Sequence, residues 1–129
     1  MANLLSIVEV GGYPDFTSLY QSLGCDVKQI TSLRKAITYI KSSYKKGQTI
    51  DVIIAEYNYQ TQFRDRTSSI ESLMAVIQPF EKIKVIVFLD ENHKEHFAKV
   101  SSRFKIFETV IFPIDQDILK QKIDLAIKN

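Results

Sequence analysis

The sequence predicts an α/β domain built as a three-layer sandwich, with helices on both faces of a five-stranded parallel sheet. Two observations predict it. Short apolar runs alternate five times with amphipathic stretches, the rhythm of repeated strand and helix units. The strand segments are also apolar almost without a break, as strands covered on both faces are, and successive parallel strands require right-handed crossovers of the kind helices supply.

Each element has its own signal. Residues 4–10 form the first predicted strand, followed by a Gly11-Gly12 turn and a helix over 14–23, with Pro14 suited to its first turn and Gly24 stopping it. Residues 26–30 make a short second strand. Ser32 is the predicted N-cap of a helix whose apolar positions Leu33, Ala36, Ile37, Ile40 and Tyr44 keep helical spacing, and Gly47 ends it. The third, fourth and fifth strands are expected over 50–56, 83–89 and 107–112, all rich in β-branched or aromatic residues. Helices are expected near 69–78, where Ile70, Leu73, Met74 and Ile77 align, and near 92–104, where Phe97, Val100 and Phe104 align. A last one over 115–127 carries Ile118, Leu119, Ile123 and Ile127. Residues 57–68 are a polar connection, long for a link between strand and helix and therefore a candidate functional feature.

Composition bounds the class. At 129 residues and 45% apolar content the chain suits one compact domain over 1–129. With 17 basic and 15 acidic side chains the net charge is +2, too small to argue for an obligate nucleic-acid or membrane partner, and neither is expected. Cys25, the one cysteine, has no internal disulfide partner, and the first residues lack the features of a signal peptide, so a cytoplasmic location is expected. No apolar run reaches the roughly 20 residues a membrane helix needs, since Val85 to Leu89 stops at Asp90.

Two acids stand out. Glu56 ends the apolar run Asp51-Val-Ile-Ile-Ala-Glu56, and Glu9 closes the run that begins at Leu4. Both are expected at the carboxyl edge of the sheet, where open α/β sheets place their chemistry.

This layout resembles the receiver domain of two-component response regulators, the phosphorelay module with a flavodoxin-like fold and strand order 2-1-3-4-5. The likeness spans the whole chain. Asp51-Val-Ile-Ile-Ala-Glu56 resembles the family's third-strand motif, residues 85–90 its fourth-strand motif, and Phe112-Pro113-Ile114-Asp115 its Lys-Pro segment. The resemblance puts Glu56 on the phosphoacceptor and Glu9 and Val10 on the acidic pair. It puts Leu89 on the Ser/Thr, Thr109 on the switch aromatic and Phe112 on the Lys, with Pro113 kept.

What the resemblance implies is a pseudo-receiver whose frame is retained and whose chemistry is dismantled. Phosphoryl transfer needs Mg²⁺ held by oxygen donors, and Val10 removes one. Phe112 removes the cation that pairs with an acyl phosphate, and Leu89 removes the hydroxyl that follows the new charge. Phe112 and Leu89 are expected to dry the pocket instead. The expectation is a non-enzymatic signalling domain, without cofactor or metal, that contacts a protein partner such as a kinase or output protein. By the same resemblance its contact or homodimer face lies on the fourth helix, fifth strand and fifth helix, including Phe97, Val100, Thr109, Ile118 and Lys122.

Alternatives remain open at this point. Glu56 is one methylene longer than Asp and reaches toward a phosphoryl oxygen's place, as a permanent mimic would, or it merely ends a strand. Arg64 or Arg66 folds back as an internal cation for Glu9 and Glu56, or both are solvated loop residues. A still-active receiver would take its phosphoryl group at a noncanonical residue such as Asp51 or Asp90, with Mg²⁺ held loosely by Glu9 and Glu56. A small-molecule binder would use Gly11 and Gly12.

Weaker signals have plainer explanations. His93 and His96 beside Asp90, Glu91 and Glu95 suggest a surface metal site, although a solvated helix start explains them equally. Arg34, Lys35, Lys41, Lys45 and Lys46 form a basic stripe that suits an acidic partner or simply solvent. Tyr57, Tyr59 and Phe63 make a recognition patch or cover the sheet end.

Overall fold

The computed structural model describes residues 2–7, 15–57, 70–80 and 82–128. Five strands, β1 (Ala2–Ile7), β2 (Cys25–Ile30), β3 (Val52–Glu56), β4 (Lys84–Leu89) and β5 (Glu108–Ile111), form one sheet in the order 2-1-3-4-5. Every pairing is parallel, so the expected fold class and order are both present. Helices α1 (Thr17–Ser22), α2 (Leu33–Lys45), α3 (Ile70–Ile77) and α4 (Lys94–Ser101) lie in the four crossovers, and α5 (Gln116–Lys128) follows the last strand.

Side-chain alternation along the strands divides the interior into two cores. Leu5, Ile7, Ile53, Ala55, Val85 and Val87 face the side covered by α2, α3 and α4. Leu4, Val52, Ile54, Ile86, Phe88 and Val110 face the other side, where Tyr20 of α1 and Leu119 and Ile123 of α5 close over them. This two-sided burial is why the central strands carry almost no polar residue.

Local chemistry sets the helix limits. The Ser32 hydroxyl accepts the Lys35 amide N–H at 3.1 Å, as an N-cap does. Gly24 and Gly47 adopt φ of 84° and 77° after α1 and α2, a left-handed turn that side chains with a Cβ rarely take. The helix expected over 92–104 is shorter. Asp90 accepts the Asn92 amide N–H at 2.9 Å and folds Glu91–His93 into a 3₁₀ turn, so α4 proper begins at Lys94. β5 covers only Glu108–Ile111 of the expected 107–112, because its ladder with β4 ends where Leu89 meets Ile111. Among the described residues, no helix is long and apolar enough to cross a membrane.

Candidate functional site

β3 delivers Glu56 to the carboxyl edge because the four residues before it are wholly apolar and buried on both faces. In register Glu56 stands beside Phe88, and the Tyr57 amide N–H donates to the Phe88 carbonyl at 2.9 Å, holding the strand end in place. The carboxylate is buried, with only 4% of the residue exposed.

The described surroundings of Glu56 are crowded and mostly apolar, with three aromatic rings among them. Among the described residues, Ser6, Asp15, Phe16, Tyr20 and Phe88 share with it a cavity of about 10 Å³. Such a space holds roughly one water molecule. Phe16 meets Phe88 edge to face, with ring centroids 6.0 Å apart, and closes the cavity from the α1 side. Tyr20, 2% exposed, lies beneath. Burial pushes its hydroxyl well above the ordinary tyrosine range, and the charges of Asp15, Cys25 and Glu56 push in the same direction. Asp15 is an exposed member of the group. Its carboxylate accepts from the Thr17 hydroxyl at 2.6 Å and the Thr17 amide at 2.9 Å, and both bonds hold it below the usual range.

The resemblance drawn from the sequence makes Mg²⁺ the metal to consider, and the described part of the cavity does not suit it. Magnesium demands near-octahedral oxygen ligation and keeps several of its waters. A space of about 10 Å³ walled by three aromatic rings does not admit that shell. Nor do the described residues hold any group of three or more His, Cys, Asp or Glu able to bind a metal ion, His93 and His96 included.

The remaining expected positions fall in several places. Leu89 is buried, but in the core on the α2, α3 and α4 side, whereas the cavity of Glu56 is walled by Phe16, Tyr20 and Phe88 of the opposite core. Phe112 is 41% exposed, and the Phe112–Pro113 peptide is cis. The expectation that Leu89 and Phe112 dry the pocket is therefore corrected: Phe16, Tyr20 and Phe88 fill it. Even parity with Glu56 along the paired strands was the signal for Phe88, whereas Phe16 and Tyr20 come from a helix whose placement the sequence does not state. Glu9, Val10, Gly11, Gly12, Pro14, Tyr59, Phe63, Arg64 and Arg66 lie outside the described residues.

Both alternative acceptors have structural work. Asp51, at the amino end of β3, accepts the Asn3 amide N–H at 2.7 Å, far along the strand from Glu56. Asp90 caps the 3₁₀ turn. Tyr57 is 3% exposed and packs against Phe97 with centroids 5.0 Å apart, so it covers the sheet end and is not part of a surface patch.

The expected contact face also changes membership. Phe97 and Val100 are each 3% exposed and belong to the core, so neither is available to a partner. Thr109 is half-buried. Lys122 is turned inward, donating to Glu108 Oε2 at 2.8 Å and to the Thr109 carbonyl at 2.9 Å. Among the described residues, the large apolar groups that do face outward are Phe112, Ile118 and Leu125, the last two 45% and 53% exposed. Ile118 and Leu125 lie two turns apart on one stripe of α5.

No protein-family model matches the chain, and neither does any curated protein. Solved structures do match. A response regulator receiver protein from Sinorhizobium medicae WSM419 is 18% identical, covering 98% of this chain and 94% of that one, with a TM-score of 0.73. The receiver domain of a Francisella response regulator is 16% identical over 99% of this chain and 98% of that one, with a TM-score of 0.72. A response regulator receiver domain protein from Clostridium thermocellum is 16% identical over 99% and 95%, with a TM-score of 0.68. At these identities the likeness is one of fold: the chain has the flavodoxin-like fold of response regulator receivers.

Proposed function

We propose that this chain is a receiver-like signalling domain that works through contact with a protein partner, such as a kinase or output protein, and not through metal-dependent aspartyl phosphorylation. The observation that carries the reading is the condition of Glu56. It sits at the carboxyl end of the central strand, and its surroundings are filled by aromatic side chains that leave a cavity of about 10 Å³. A phosphoryl group with its magnesium needs several times that space and a set of oxygen donors. Leu89 and Phe112 offer neither the hydroxyl nor the ammonium that such a group would engage.

With the chemistry reduced, the outer face of α5 is the surface best suited to a partner or to a second copy. Ile118 and Leu125 present apolar groups two turns apart, and Phe112 adds an aromatic ring where β5 ends. Exposed large apolar side chains grouped on one element are the usual anchors of an interface. Lys122, held by Glu108 and Thr109, stiffens the helix against the sheet below this stripe.

The test compares three forms of the chain, wild type, Glu56→Gln and the double change Ile118→Glu with Leu125→Glu, as bait for proteins of the source cell and in sedimentation. Contact is expected to persist with or without acetyl phosphate and Mg²⁺, and to be lost in the double variant. Loss in Glu56→Gln alone would assign the carboxylate a mimic's role. Contact that appears only after treatment with a phosphoryl donor would contradict the proposal.

A further inference from the structure

The modest net charge conceals a strong segregation. Residues 27–50 hold six cations, Lys28, Arg34, Lys35, Lys41, Lys45 and Lys46, and no carboxylate. The whole chain has 17 basic and 15 acidic residues, so the rest keeps 11 basic against 15 acidic, a net of −4 beside a segment of +6. All six cations are exposed, five of them on or at the end of α2. Among the described residues Lys35, Lys41, Lys45 and Lys46 make no ion pair, so the field of the segment is not cancelled locally.

An apolar groove lies next to this stripe. Met74, Ile77, Phe80, Ile83, Phe104 and Lys105 line an open space of about 380 Å³ between the end of α3, the start of β4 and the segment after α4. Phe80 also stacks on Tyr44 of α2, with centroids 4.0 Å apart and planes 16° from parallel. On α2, Arg34, Lys41 and Lys45 follow one another at steps of seven and four, a single stripe. Lys41 is three residues from Tyr44, so the stripe lies beside the ring that stacks on Phe80, a lining residue of the groove. Lys105, exposed, lines the groove on the side of the segment after α4, and Lys82, also exposed, directly precedes the lining residue Ile83. An apolar slot thus has cations on both flanks.

We infer that the groove and the α2 stripe together form a docking site for an acidic amphipathic segment of a partner protein, with an apolar side chain in the groove and carboxylates on Lys41, Lys45 and Lys105. The charge pattern favours this occupant over the other polyanions. The stripe from Arg34 to Lys45 is only about 17 Å long, at roughly 1.5 Å per residue. A nucleic acid continuing past it meets the surface of net −4, whereas a short acidic segment does not. A lipid surface gains no insertion from α2, whose apolar face is spent on the core through Leu33, Ala36 and Ile40. The site is separate from the α5 face, so its failure leaves the proposed function standing and the converse also holds.

The probe is a fluorescein-labelled helical peptide with paired glutamates on one face and Leu and Phe on the other, followed by anisotropy. Its Kd is expected to rise about tenfold on going from low to moderate salt, because exposed ion pairs are screened. Lys41→Glu with Lys45→Glu should weaken binding about tenfold or more, and Lys99→Glu, an exposed cation on α4, should leave it unchanged. A peptide with Leu and Phe replaced by Ser should bind about tenfold more weakly, as should the exposed-site variant Gln78→Trp, which crowds the groove. Thermal melts confirm that each variant is folded. No binding at low salt, indifference to Lys41→Glu with Lys45→Glu, or tighter binding of duplex DNA or phosphatidylserine vesicles than of the peptide would overturn the inference.

Discussion

Replacing Tyr20 by Phe probes whether the space around Glu56 is as dry as its lining indicates. Tyr20 is 2% exposed, and its hydroxyl is pushed up by burial first and by Asp15, Cys25 and Glu56 after that. The unfolded chain releases this proton near pH 10, while the folded chain keeps it well beyond. Stability from this group is therefore complete below pH 10 and falls as pH rises past it, because only the unfolded state gains by ionising. The expected loss attributable to Tyr20 is about 1.4 kcal/mol at pH 11, growing by a similar amount over the next unit. Urea unfolding of wild type and Tyr20→Phe at a series of pH values isolates it, since the other five tyrosines are common to both proteins. The variant should differ from wild type by a constant amount below about pH 9, then lose stability more slowly above pH 10 by that increment. Parallel curves up to pH 12 would refute the reasoning and mean that water reaches the phenol.

Other expectations follow from the packing. Ser32→Ala removes the hydroxyl that accepts the Lys35 amide and should lower stability by about 1 kcal/mol in chemical denaturation. A double-mutant cycle on Lys122 and Glu108 should give a coupling of roughly 0.5–1 kcal/mol, reduced by added salt, since both side chains are partly exposed. The Cys25 thiol, 5% exposed and pushed up by burial, should react with a thiol reagent only as fast as the protein opens, and Ser32→Ala should quicken that reaction.

The sheet was legible because its signals are local and repeated. Runs such as Asp51 to Glu56 announce strands buried on both faces, and Ser32, Gly24 and Gly47 mark ends through their own backbone chemistry. The surfaces were less legible, since exposure depends on which helix side meets the sheet. Phe97 and Val100 have the same helical spacing whether they face a partner or the core, and only the tertiary placement of α4 decides for the core. Leu125 shows the reverse: it follows Asp124 in an ordinary amphipathic helix, yet it points outward. The filling of the Glu56 cavity belongs to the same class. Phe16 and Tyr20 are distant in sequence from Glu56, and nothing local to them states that α1 lies over the end of β3.

Intact-mass analysis of the native chain after incubation with acetyl phosphate and Mg²⁺, with a competent receiver treated alongside, addresses the state of Glu56 most directly. The aromatic filling of its cavity predicts an unchanged mass for this chain while the control gains a phosphoryl group. A labile, magnesium-dependent adduct on this chain, lost on brief warming at alkaline pH, would contradict the account.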